Sequence, residues 1–218
     1  MASVQLTILF LMVYLIIALL IFGSDRTEIT LPLMDNTSID SEWELEKNKN
    51  GIKVYTRQIE GAKIKEFKAV TTVTSNMEAL GSIIDEVSEY TEWQANISSA
   101  RILEQVNQNE QYLYFTTDVP WPIKDRDVVV YSKKTINNGT LTYTLKGIPD
   151  HFKEDEDFLR IRDAKGKWQF VPKGNGKFEV LYQFYGDPAG SIPNWIINMF
   201  IVDGPYETLM GLKSRVES

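Results

Sequence analysis

The sequence predicts an α+β domain in which one long carboxyl-terminal helix covers an antiparallel sheet. Three observations carry that expectation. Short runs with apolar residues at every second position recur through most of the chain, separated by Asn-Gly and other glycine turns. The period lengthens to 3.6 residues once in the interior, near residues 75–94, and again over the last run, 192–216. A sheet of about nine strands must bury its apolar face, and one long helix can cover it.

Ahead of that domain, Val4 to Phe22 (VQLTILFLMVYLIIALLIF) carries no charge, and only Gln5 and Thr7 are clearly polar. As a helix it would be about 28 Å long, close to the hydrocarbon thickness of a bilayer. Residues 1–23 therefore read as a membrane anchor or a signal segment. The missing basic n-region, the long core and the poor cleavage site at Ile21-Phe22-Gly23-Ser24 favour an uncleaved anchor. A membrane-anchored protein follows, or an exported one (periplasmic or secreted) if the segment is cleaved. Only Arg26 flanks the segment, so its orientation is open. Residues 24–40 form a polar linker with a reach of about 60 Å.

The domain is expected over 41–218. Trp43 to Leu45 opens it, and Asn48-Lys49-Asn50-Gly51 is a hairpin turn before IKVYTRQI. In IKEFKAVTTV, Phe67, Ala69, Thr71 and Val73 share one face. Ser75 and Glu78 fit a capping box for a helix with Leu80, Ile83, Ile84 and Val87 on its buried stripe, and a shorter helix follows over 88–94. Strands return at ARILEQV, QYLYFTTDV, DVVVYSKKTI and LTYTLKGI, then at KWQFVP and KFEVLYQFY, where Phe178, Val180, Tyr182 and Phe184 alternate. The terminal helix should break or kink at Gly204-Pro205.

Composition narrows the function. With 23 Lys and Arg against 30 Asp and Glu the net charge is −7, which lacks the basic footprint of a nucleic-acid binder. The absence of cysteine removes thiol catalysis and Cys-ligated metals, and one histidine, His151, leaves no His-rich metal cluster. The acidic run Glu154-Asp155-Glu156-Asp157 beside it reads as a solvated loop. No nucleophile–base pair or phosphate-binding glycine loop is visible, so catalytic residues, metal and cofactor are all expected to be none.

Between Val119 and Val129 the sequence runs VPWPIKDRDVV. Pro120 and Pro122 end the preceding strand, and strand alternation sends Arg126 and Asp127 to opposite faces. This segment, the element order and the terminal IPNWIINMFIVDGPYETL resemble the START (steroidogenic acute regulatory protein-related lipid transfer) domain family, and most nearly its phosphatidylcholine transfer branch and bacterial members. The resemblance implies a helix-grip fold, a curved antiparallel sheet wrapped around the terminal helix with an internal hydrophobic cavity. It further implies a monomer that binds, and transfers or senses, one lipid: a phospholipid, sterol or fatty-acid-like amphiphile. An acidic cavity partner of sterol-binding relatives has no match in Tyr114-Phe115-Thr116-Thr117.

By the same resemblance Arg126 faces the cavity, against either a lipid polar group or a wall carboxylate. Trp121, Tyr114, Tyr143, Tyr182 and Phe184 are candidates for the cavity wall. Ile192, Trp195, Ile196 and Met199 form an apolar stripe expected to roof it, with Trp195 and Met199 touching lipid. The segments 147–152 and 186–190 are candidate gate loops. The alternatives are a polyketide cyclase or aromatase of the same superfamily and a lipid-gated interaction module.

Overall fold

In the computed structural model, residues 42–217 are described. The apolar segment 1–23 and the linker 24–40 lie outside them. Among the described residues no helix is long and apolar enough to cross a membrane.

Ten strands form one sheet: β1 (Glu44–Lys49), β2 (Ile52–Arg57), β3 (Glu66–Thr74), β4 (Ile97–Asn107), β5 (Glu110–Thr117), β6 (Arg126–Asn137), β7 (Thr140–Gly147), β8 (Leu159–Ile161), β9 (Ala164–Gly174) and β10 (Lys177–Gly186). The order is β1-β2-β3-β10-β9-β7-β6-β5-β4, with short β8 running parallel to β6 and every other pair antiparallel. The last strand therefore sits beside the third, which puts the start of the terminal helix at the middle of the sheet.

Three of the hairpins turn on Asn-Gly. Asn50-Gly51, Asn138-Gly139 and Asn175-Gly176 all have positive φ at both residues, the type I′ geometry that matches strand twist.

Helix α1 (Met77–Asp85) crosses one end of the concave face and buries Leu80, Ile83 and Ile84. Its N-cap is Asn76, whose Oδ1 accepts from the Ala79 N–H at 2.9 Å. The expected cap, Ser75, is instead tied to the neighbouring turn, donating its N–H to the Gly176 carbonyl. A 3₁₀ turn, Val87–Glu89, leads into the short α2 (Tyr90–Trp93).

The terminal helix runs unbroken from Asn194 to Val216 in three parts: α3 (Asn194–Asn198), a π-helical turn (Met199–Asp203) and α4 (Gly204–Val216). The break expected at Gly204-Pro205 is thus a widened turn. Pro205 has no N–H for the Ile201 carbonyl and its ring crowds that turn; the Gly204 N–H donates instead to Met199 O, five residues back. A Cβ on Gly211 would lie 2.4 Å from the Trp93 carbonyl oxygen, so only glycine lets α4 press this closely on α2. The core lies between this helix pair, α1 and the concave side of the sheet, with Ile52, Val54, Ala69, Leu80, Phe170, Val180, Leu209 and Leu212 fully buried.

Candidate functional site

The other half of the concave face does not close on the helix. A cavity of about 170 Å³ remains between the sheet and the first half of the terminal helix. Its floor is apolar: Phe67 from β3, Leu113 and Phe115 from β5, Val128 from β6, Leu145 from β7, Trp168 from β9, and Tyr182 and Phe184 from β10. Trp168 and Tyr182 stack with centroids 4.0 Å apart and planes within 4°, and Phe67 meets Tyr182 edge-on at 5.0 Å. Burial pushes the Tyr182 hydroxyl pKa far up, so it stays a neutral phenol. The roof is Ile192, Ile197, Phe200, Ile201 and Pro205.

A few polar groups interrupt this wall. Gln94, at the end of α2, borders the cavity, and its Nε2 is buried without a partner among the described residues. Thr208 accepts the Ala95 N–H through Oγ1 at 3.1 Å, and Thr117 and Ser132 complete the polar points on β5 and β6.

Two charged residues reach the lining: Lys65, which is paired with Glu44 and Glu46, and Arg126, which is only 3% exposed. Its Nε donates to the Pro188 carbonyl at 3.0 Å, its Nη2 to the Ala189 carbonyl at 3.3 Å, and its Nη1 to the Lys124 carbonyl. These partners are neutral, and among the described residues no carboxylate lies within ion-pair distance. Burial depresses its pKa, opposed by the nearby charge of Asp125. Both Nη atoms keep donor capacity beyond these bonds. Arg126 therefore clamps the loop between β10 and α3 and holds a positive charge at the cavity without a direct ion pair.

Asp127 points the opposite way, into the back of the sheet. It receives Nε and Nη2 of Arg160 at 2.8 and 2.7 Å. Arg160 also donates to the carbonyls of Pro149, Phe152 and Lys153, so this pair holds the other long connection, 148–158. Two adjacent residues thus fasten two loops through opposite faces of one strand.

Of the sequence candidates, Arg126, Tyr182 and Phe184 line the cavity, and so does Ile192. Six others do not. Trp121 is 91% exposed, because it sits at the tip of the Pro120–Ile123 turn, closed by the Ile123 N–H donating to the Pro120 carbonyl at 3.1 Å. Tyr114 lies on the back of β5 against Phe152 and Arg101; the register puts its neighbours Leu113 and Phe115 inside, and a one-residue change of parity reverses the face. Tyr143 shares the concave face with Leu145 but sits beneath α1, where its hydroxyl donates to Asp85 Oδ1 at 2.8 Å. On the helix, Trp195 is 59% exposed, Ile196 is fully buried in packing, and Met199 falls outside the lining. The approach of the helix turns Ile197, Phe200 and Ile201 to the cavity in their place. Among the described residues no cluster of three or more His, Asp or Glu side chains is placed to hold a metal ion.

Comparison with known proteins gives a consistent picture. A family model described as START domain matches residues 27–217. The chain is 34% identical over 182 residues to an uncharacterized protein of Pseudomonas aeruginosa, spanning 83% of this chain and 89% of that one. It is 20% identical over 172 residues to the phosphatidylcholine transfer protein of Rattus norvegicus, spanning 75% and 78%. The crystal structure of a STAR-related lipid transfer protein from Xanthomonas axonopodis superposes with a TM-score of 0.73 at 30% identity, covering 81% of this chain and 99% of that one. Human StAR-related lipid transfer protein 5 superposes at 0.72 with 15% identity, covering 82% and 88%, which is a likeness of fold.

Proposed function

The chain belongs to the START domain family, and on that premise we propose that its cavity binds a single lipid, which the domain carries to or from a membrane. The observation that carries this reading is the combination at the mouth: an apolar chamber ending at a buried arginine with only neutral partners. An acyl chain of 16 carbons costs on the order of 12 kcal/mol to expose to water, and aromatic and aliphatic walls replace that exposure. The guanidinium supplies an anchor for an anionic polar group, a phosphate or carboxylate, through its remaining donors. The donor on Gln94 offers a second polar contact, to a carbonyl or hydroxyl oxygen deeper in the cavity.

Loading requires the mouth to open. The loop 187–193 is held to the sheet by the Arg126 bonds, so it and the following α3 form the element that lifts. The apolar segment 4–22 would keep the domain at one membrane, its linker setting the working radius.

Native mass spectrometry of the full chain tests the reading. We expect one co-purifying lipid mass per chain, with an anionic polar group. An empty protein that takes up no fluorescent phospholipid, sterol or fatty acid overturns it.

A further inference from the structure

The chain is acidic overall, yet the convex face of its sheet gathers lysines. Lys68 on β3 lies between the inward-facing Phe67 and Ala69, and so points outward. Lys165 and Lys167 on β9 and Lys146 on β7 share that face. Gln183 pairs with Lys68 on one side and Lys167 on the other, which sets those two lysines about 10 Å apart. Lys146 is the direct cross-strand partner of Lys165, a like-charge pairing that disfavours the sheet.

Among the described residues none of these four lysines has a carboxylate within ion-pair distance. Four nearby acids are engaged elsewhere: Glu66 accepts from Arg57 and Gln183, Glu179 pairs with Lys173, Glu110 with Lys133, and Asp187 with Lys63, while Asp163 is an exposed acid at the rim of the patch, two residues from Lys165. Aromatic rings interleave with the charges. Trp43 and Tyr55, both partly exposed, lie 4.2 and 5.1 Å from the Lys68 ammonium.

We infer that this lysine face docks the domain on an anionic lipid surface. Clustered lysines attract such a surface, and amphipathic rings beside them suit its headgroup layer. Two placements favour lipid over an acidic protein. Trp43, at the edge of the patch, is where the chain enters the domain after its apolar segment and linker. Lys165 on β9 pairs with Tyr185, one residue before the end of β10, and the loop clamped by Arg126 follows directly. Docking on this face brings the cavity mouth to the lipid. The inference goes beyond the cavity reading and does not need it.

The absence of cysteine allows a single reporter. An environment-sensitive dye on Thr144→Cys, whose exposed side chain lies between Lys133 and Lys167, is measured in the full chain with vesicles. A second dye on Asn137→Cys, in the far hairpin turn, is the control. We expect a blue shift at position 144 with phosphatidylserine-containing vesicles and none with pure phosphatidylcholine, and no shift at 137. Each lysine contributes about fivefold, so the triple variant Lys146→Gln, Lys165→Gln, Lys167→Gln should lower the docked-to-free ratio on the order of 100-fold. The triple arginine variant should retain docking, and high salt should abolish it.

Equal shifts with both vesicle types, docking unchanged in the glutamine variant, or binding only to acidic proteins would each overturn the inference. Co-purifying lipid, read in parallel by mass spectrometry, separates the two readings. Docking that persists in an empty protein counts against the cavity alone, and bound lipid without docking counts against this face alone.

Discussion

Arg160 grips both carboxylate oxygens of Asp127, at 2.8 and 2.7 Å, on the side of β6 opposite the one from which Arg126 meets the cavity. Both side chains of this pair are almost wholly buried. The division of labour follows from strand alternation: one residue of the dipeptide reaches the mouth loop, and its neighbour reaches the loop behind.

Asp127→Asn should cost about 3–5 kcal/mol of stability, because it leaves the Arg160 charge buried and unpaired. The double variant Asp127→Leu, Arg160→Met should cost less than the single one. Denaturant unfolding of the three proteins checks both statements; equal costs would show that the pair is not coupled.

Arg126→Leu should release the carbonyls of Pro188 and Ala189 and speed lipid exchange at the mouth. Each freed buried carbonyl costs about 1–3 kcal/mol where water does not reach it. Arg126→Lys should hold one carbonyl and fall between. Stopped-flow exchange of a fluorescent lipid measures the order, expected as Leu fastest, Lys next and the natural protein slowest. Loss of anionic over neutral lipid in the mass spectrum of Arg126→Leu is the companion readout.

Leu145→Trp places extra volume in the chamber rather than in the packed half of the core. Lipid occupancy should fall sharply while stability changes by about 1–3 kcal/mol at most. A variant that retains full occupancy would mean that the ligand does not reach β7.

Gly211→Val should destabilise the domain, since even the first carbon would lie 2.4 Å from the Trp93 carbonyl oxygen. A loss of roughly 1–3 kcal/mol or more is expected, with α4 forced away from α2. Thermal melting and the hydrogen exchange of residues 90–95 should both report it.

Alkaline pH should weaken the fold through Tyr114. Burial, and next the charge of Asp127 and its hydrogen bond, push the Tyr114 pKa up from 10.0 to about 12. The fold thus favours the neutral phenol, so this contribution is complete below pH 10 and is lost as pH rises toward 12. Phenolate absorbance of Tyr114→Phe against the natural protein should show one late-titrating tyrosine fewer, and the variant should lose less stability over that range.

Much of the molecule was legible in the sequence because its signals are local. Asn50-Gly51, Asn138-Gly139 and Asn175-Gly176 specify type I′ turns by what each residue tolerates at positive φ, and no distant contact is needed to read them. The alternation of Phe178, Val180, Tyr182 and Phe184, and the opposite directions of Arg126 and Asp127, follow from a period of two. The family was indicated separately, by the resemblance of the segment VPWPIKDRDVV, the element order and the terminal IPNWIINMFIVDGPYETL, and that resemblance implied the helix-grip fold.

What the tertiary structure decided is which half of a buried face is packed and which is hollow. Tyr143 and Leu145 stand on one face of one strand, yet α1 covers the first and the cavity takes the second. Tyr114 fell on the wrong side because cross-strand register, which sets the inward set as Leu113 and Phe115, arises between strands and leaves no mark within one. Along the helix, the apolar stripe named Trp195 and Met199, and the docking of the helix turned Ile197, Phe200 and Ile201 inward instead. The partners of Arg126 were beyond local reading for the same reason. They are backbone carbonyls, identical in every residue, and only the path of the loop across the mouth brings Pro188 and Ala189 to a guanidinium more than sixty residues away.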